Sequence, residues 1–263
     1  MSTFTHAKST QANAEETQAK SVATLVPIAQ SLLTELLATT KVGVHYLPPK
    51  RLPINRLTNW VTTHASKKQP DVTAVVGIDA IRPSLSFYTA LRKENIQLVN
   101  IDIAKALMPG GEQVAIYQHN QQGYFWLNLN NALLMTGILR RDLAALWPEH
   151  AEIINTNAAK MSQQLRQISM QLDDDLFDKN IEQLVVDKPE LADFAASFPL
   201  PIVTLEQAKV NGLKTLFISK IKHKSSKADI ANNINLWAID DFSKISSLSF
   251  TERWLTTAAN INK

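Results

Sequence analysis

Short apolar runs alternate with helical patterns through the first third of the chain. Val22 to Pro27, Val42 to Leu47, Thr73 to Ile78 and Ile96 to Ile101 are runs of strand length. An apolar stripe (Ile28, Leu32, Leu33, Leu36, Leu37) follows the first run, and a helical pattern covers Pro83 to Lys93. Runs that are almost continuously Val, Ile and Ala, rather than strictly alternating, suit strands buried on both faces, as in a parallel sheet of βαβ units. The middle of the chain switches to a helical period. Leu134, Ile138, Leu139, Leu143 and Leu146 form one stripe over Asn130 to Trp147, and Pro148 sits where a new helix can start without losing a hydrogen bond. Ile154, Ala158, Met161, Leu165, Ile168, Leu172 and Leu176 then keep spacings of three and four. That is about thirty residues, or about 45 Å of helix at 1.5 Å per residue. A stripe of this length between two α/β halves reads as a strut packed on its own chain rather than a coiled-coil zipper.

The α/β pattern returns after Asp173 to Asp175. Strands are expected at Glu182 to Asp187, Pro201 to Leu205, Lys214 to Ser219 and Asn235 to Asp240, and helices near Pro189 to Ala196, Ser226 to Ile234 and Phe250 to Ala259. The expected fold is α/β: two α/β lobes with parallel sheets joined by one long rigid helix. The expected division is a disordered polar leader over 1–20, a first lobe over 21–147, the linking helix over 148–177 and a second lobe over 178–263.

Composition narrows the function. A chain of 263 residues, 45% hydrophobic and 19% charged, can bury a substantial core. No apolar run reaches eighteen residues, so the chain is not expected to span a membrane. The first twenty residues lack the apolar segment of a secretory signal. With no cysteine there is no disulfide, thiolate metal site or cysteine nucleophile. The net charge of +3 is small and dispersed. Its one cluster (Lys220, Lys222, His223, Lys224, Lys227) has no interleaved aromatic to stack on a base, so nucleic acid is not an expected partner. No Gly-x-Ser-x-Gly elbow or phosphate loop is present, and the chain is not expected to be an enzyme.

One segment is distinctive. Gly123, Tyr124, Phe125, Trp126, Leu127, Asn128 and Leu129, followed by a helix, the turn Leu146-Trp147-Pro148-Glu149-His150 and the long helix, resemble the middle of the zinc- and manganese-type solute-binding proteins of ABC uptake systems. Leu47, Pro48, Pro49 and Pro53 resemble that family's proline loop, and Asp240 falls where the family keeps an acidic ligand. The resemblance spans residues 22 to 262. It implies a periplasmic or exported monomer that binds a solute between its lobes and passes it to an ABC permease. This numbering contains no signal peptide, so an exported chain would have had its signal removed from it, and a cytoplasmic location stays open.

The resemblance also implies where ligands belong, and there the chain departs from the family. The first histidine position falls on Ile54, beside Asn55; the second falls on Tyr124; the third falls on Asp187 or Lys188; the acidic position is Asp240. A tight divalent site uses about four converging donors, commonly imidazoles with a carboxylate. Asn55, Tyr124, Asp187 and Asp240 are therefore expected to line one inter-lobe cleft as a degenerate site. No cofactor is expected, and zinc or manganese only if other residues rebuild the site. Asp240 and His45 are the weak metal-donor candidates; His45 reads first as a hydrogen-bonded strand residue and only then as a donor, and His119 reads as a loop residue or the remnant of a metal-scavenging loop. The alternative function is a non-transport accessory or protein-interaction protein that kept the binding-protein scaffold.

Overall fold

A computed structural model describes residues 20–120, 122–221 and 233–262. In the first lobe, β1 (Ser21–Thr24), β2 (Gly43–Tyr46), β3 (Ala74–Gly77) and β4 (Val99–Asp102) form a sheet in the order β2-β1-β3-β4, parallel throughout. Val22 lies opposite Val44 on one side and Ala74 on the other, which buries the central strands on both faces. The helix α1 (Pro27–Leu36) begins on Pro27, whose missing N–H costs nothing in the first turn.

Several boundaries differ from the pattern for local reasons. The strand expected from Ile96 starts at Val99, because the Asn95 side chain accepts the Gln97 N–H at 2.9 Å and turns the chain first. The helix expected over Pro83 to Lys93 is two pieces, a 3-10 turn at Pro83–Leu85 and the short α3 (Tyr88–Leu91). Between them Ser86 is extended (φ −63°, ψ 128°), with its hydroxyl donating to Asp79 Oδ2 at 2.6 Å. The intervening α2 (Leu57–His64) escaped the periodicity because only Leu57 of its eight residues is buried.

The long elements match their stripes. Asn128 caps α4 (Leu129–Leu146) by accepting the N–H groups of Asn130 and Asn131. After Trp147 and a 3-10 turn at Pro148–His150 the chain enters α5 (Ala151–Asp178), 28 residues without a break. Its buried residues are Ile154, Ala158, Met161, Leu165, Ile168, Leu172 and Leu176, the stripe read from the sequence. Burial of each Leu, Ile or Met contributes about 1.5–3 kcal/mol, which commits this face to the chain's own core.

The second lobe holds β5 (Gln183–Val186), β6 (Thr215–Lys220) and β7 (Ile234–Ile239), parallel in the order β5-β6-β7. It also holds the short α6 (Ala192–Ala195), α7 (Leu205–Asn211) and α8 (Phe250–Ala259). The strand expected at Pro201 to Leu205 shrinks to one parallel bridge between Ile202 and Leu184. Thr204 instead makes a capping box with Gln207 and starts α7. The helix expected over Ser226 to Ile234 falls outside the described residues up to 232, and Ile234 opens β7. The expected leader over 1–20 also lies outside them, Lys20 excepted.

The lobes share one apolar core, running from Val22 and Leu32 through Trp126, Leu165 and Leu172 to Trp237 and Trp254. The strut packs on α4 and α1 of the first lobe and on α8 of the second. Polar ties cross at the same places. Asn157 of α5 donates to Leu36 O and Ala38 O at 3.0 and 3.1 Å, and Thr251 of α8 donates its N–H and hydroxyl to the Glu35 carboxylate of α1 at 2.9 and 2.6 Å.

Candidate functional site

The distinctive aromatic segment forms the floor between the lobes. Tyr124 and Trp126 stack with ring centroids 4.8 Å apart and planes 16° from parallel. Trp126 is fully buried, and its indole N–H donates to Asp241 O at 3.0 Å, which fixes the segment to the end of β7. The Tyr124 N–H donates to Glu190 O at 2.9 Å, and Asn120 Nδ2 donates to Pro189 O at 3.3 Å. Gly123 is needed because a Cβ there would come within 2.4 Å of Asp193 Oδ2. Asp193 is buried and accepts the Tyr117 N–H at 2.9 Å, and burial pushes its carboxyl above the usual range.

Arg82 braces this floor from the first lobe. Its Nη2 donates to Gln122 O and Gly123 O at 2.9 and 2.8 Å, and its guanidinium carbon lies 5.1 Å from the Trp126 ring centroid and 5.8 Å from that of Tyr124. Burial lowers its pKa, with Tyr124 and Asp193 acting in the opposite direction.

A cavity of about 310 Å³ opens on this floor between the lobes, lined by Ile54, Asn55, Arg82, Asn120, Tyr124 and Glu190 among others. Of the four residues expected in one cleft, Asn55 and Tyr124 line this cavity. Asp187 does not; it follows β5 and donates its N–H to Ile218 O at 2.9 Å. Asp240 does not either. Its carboxylate accepts Arg253 Nε at 2.8 Å and Arg253 Nη2 at 2.7 Å, a two-pronged pair with a guanidinium that is 2% exposed. The carboxylate facing the floor belongs to Asp241, one residue further on.

Asp241 meets Lys220. The Lys220 Nζ lies 2.9 Å from Asp241 Oδ2, 3.3 Å from Glu190 Oε1 and 3.4 Å from the Tyr124 hydroxyl, and 4.6 Å from the centre of the Tyr124 ring. The other Asp241 oxygen accepts the Ser243 N–H and hydroxyl at 2.9 and 2.7 Å. Burial alone would raise the Asp241 pKa, but the Ser243 and Lys220 donors outweigh it and the net shift is downward. Burial likewise opposes the Lys220 charge, and the Asp241 carboxylate overrides it, so the ammonium holds its proton far above the usual lysine range. Burial raises the Tyr124 phenol against the pull of Lys220, so it stays protonated at neutral pH.

This donor set does not fit a divalent ion. The first position carries the buried Ile54, the phenol is neutral, and both Asp241 oxygens are taken. No group of three His, Asp or Glu side chains converges among the described residues. His45 is exposed on β2, an edge strand, and His119 is exposed in a 3-10 turn with φ of 55°. His64 stacks on Trp60 at 4.4 Å, and His6 and His223 lie outside the described residues. Most of the basic cluster read from the sequence also lies outside them. Its first member, Lys220, is the residue that reasoning from the sequence missed. The available signal was its position as the last residue of a buried parallel strand, where open α/β sheets present their ligands.

A family model described as "ZnuA: Zinc-uptake complex component A periplasmic" matches residues 56–233. The chain belongs to this zinc-uptake component family. No curated protein matches it. Among solved structures, a crystal structure of ZnuA is similar with a TM-score of 0.59 at 19% identity, over 92% of this chain and 98% of that one. A manganese-bound periplasmic metal-binding protein from Candidatus Liberibacter asiaticus gives 0.64 at 13% identity over 92% and 98%. The metal-dependent lipoprotein YcdH from Bacillus subtilis gives 0.64 at 11% identity over 92% and 97%. At these identities the likeness is one of fold, two α/β lobes around a long helix. No helix among the described residues is long and apolar enough to cross a membrane.

Proposed function

We propose that this chain is a non-catalytic solute-binding protein of the metal-uptake type, exported, monomeric and working with an ABC permease, whose metal site is degenerate. Membership of the zinc-uptake family supports the first part. The observation that carries the second is the Lys220 ammonium held by Asp241, Glu190 and Tyr124, the last two of which line a cavity with no histidine among its described lining residues. In this reading the chain divides into lobes over 21–147 and 178–263 with the linking helix over 148–177. A core continuous across both lobes favours small shear movements over wide closure. The cleft then takes a polar solute through amide, hydroxyl and charged groups, or the scaffold acts through a protein partner instead.

Native mass spectrometry of protein purified without chelator, followed by elemental analysis, tests the reading. The expected result is less than a tenth of an equivalent of zinc or manganese. A full equivalent of either metal would remove the degenerate site. Retention by the permease of the same transport system supports transport, and its absence favours the accessory role.

A further inference from the structure

We propose that the inter-lobe cavity is a binding site for a small uncharged solute rich in hydroxyl groups, of the size of a monosaccharide. This rests on the degenerate-site reading and names the class of solute. Three parts of the chain converge on the cavity. The 3-10 turn at Ile54–Arg56 and the start of α2 supply Asn55 and Thr58, the floor segment supplies Gln122 and Tyr124, and the turn after β5 supplies Glu190. These groups keep hydrogen-bonding capacity. Among the described residues, the side-chain amides of Asn55 and Gln122 make no hydrogen bond, and the Tyr124 hydroxyl accepts from Lys220 at 3.4 Å but donates to nothing. Only one oxygen of Glu190, Oε1, meets Lys220, at 3.3 Å.

The two charged groups that line the cavity are already matched. Arg82 Nη2 directs its two protons at Gln122 O and Gly123 O, at 2.9 and 2.8 Å, and its guanidinium lies over the Trp126 ring. Glu190 is matched by Lys220, which Asp241 also holds at 2.9 Å. An ionised solute would give up hydration here without gaining a counter-charge, which costs more than burying a hydroxyl that finds a partner. Nor is there a platform for a flat aromatic ring. Tyr124 is 8% exposed, with the Trp126 ring stacked 4.8 Å away and the Lys220 ammonium 4.6 Å from its centre. A sugar suits what remains. Its hydroxyls donate to the second Glu190 oxygen and the amide oxygens and accept from the Tyr124 hydroxyl and the amide N–H groups, while its C–H face rests on Ile54, Leu85 and Pro189. The volume of about 310 Å³ lies at the lower end of the range for small-molecule sites, about 300–1,000 Å³.

Calorimetric titration of the full chain at pH 7 tests this. Glucose, galactose, ribose and inositol are the uncharged probes, and glucosamine and glucose 6-phosphate are the charged ones. At least one uncharged probe should bind one-to-one with a Kd below about 1 mM, and about tenfold or more tighter than either charged probe. Asn55→Leu and Thr58→Val, both at exposed positions, should each keep the melting temperature within about 2 °C of wild type. Each should weaken that probe by about twofold to tenfold, the effect of one neutral hydrogen bond. The inference is overturned if no uncharged probe binds below about 1 mM, if a charged probe binds as tightly, or if neither variant weakens the isotherm. Zinc and manganese titrated into the same samples separate the two readings. Sugars and metals both failing to bind overturns the inference and leaves the degenerate-site reading intact, whereas tight one-to-one metal binding overturns the degenerate-site reading itself.

Discussion

Replacing Arg253 with Met should destabilise the fold without touching the cleft. Arg253 is 2% exposed and spends its guanidinium on two oxygens of Asp240 and, at 2.9 Å, on Ser31 Oγ of α1. It also lies 4.0 Å from the centre of the Phe242 ring. Methionine keeps most of the packing and removes every one of these charged bonds. Breaking a fully buried ion pair from one side costs about 3–5 kcal/mol, chiefly because the abandoned charge stays in place. The Asp240 side chain is 23% exposed, so water recovers part of that loss. The expected cost is therefore about 2–4 kcal/mol, which for a domain of this size lowers the melting temperature by about 4–16 °C. Urea unfolding of the wild type, Arg253→Met, Asp240→Asn and the double variant closes a cycle whose coupling should exceed about 1 kcal/mol. A single-variant loss below about 0.5 kcal/mol, or no coupling, would refute the assignment of Asp240 to Arg253 rather than to a ligand.

Two further outcomes concern ionisation. The Asp241 pKa is depressed in the folded state, so its contribution is present above the ordinary carboxylate pKa and lost as pH falls through the folded value. Asp241→Asn should thus be less stable than wild type at neutral pH by about 1.5–3 kcal/mol, with the difference closing below about pH 4 in pH-dependent urea melts. A difference independent of pH would contradict this. The Tyr46 hydroxyl is buried without a hydrogen-bond partner among the described residues, and burial pushes its pKa up to about 12. Such a group destabilises the folded state as pH rises from about 10 towards that value. Tyr46→Phe should leave stability at pH 7 unchanged or improved, and should reduce the alkaline loss; a cost above about 1 kcal/mol would show that the hydroxyl is bonded.

The elements legible in the sequence were those whose burial repeats. The α5 stripe and the Val-rich strands are set by the core itself, so periodicity names their buried residues almost one by one. Short elements fixed by single polar bonds were not legible. Ser86 on Asp79 splits one helix, and Thr204 with Gln207 cuts an expected strand short and starts α7. The site fails to show for a related reason. Adjacent residues beyond a strand end can face opposite ways, and the choice between Asp240 and Asp241 depends on Arg253, thirteen residues downstream, claiming the first. Lys220 heads a run of basic residues that resembles a solvated loop. Only its place as the last residue of a strand sets it apart, and that does not show that it turns inward onto Glu190, thirty residues upstream.

The central claim is that this member of a zinc-uptake family does not hold a metal in the family's manner, and a calorimetric titration of demetallated wild-type protein with zinc and then manganese at neutral pH tests it most directly. Binding is expected to be absent or no tighter than micromolar, about −8 kcal/mol, and Asp241→Asn or His45→Ala should not change the isotherm. A one-to-one nanomolar zinc isotherm abolished by losing Asp241, Asp240 or His45 would contradict the account.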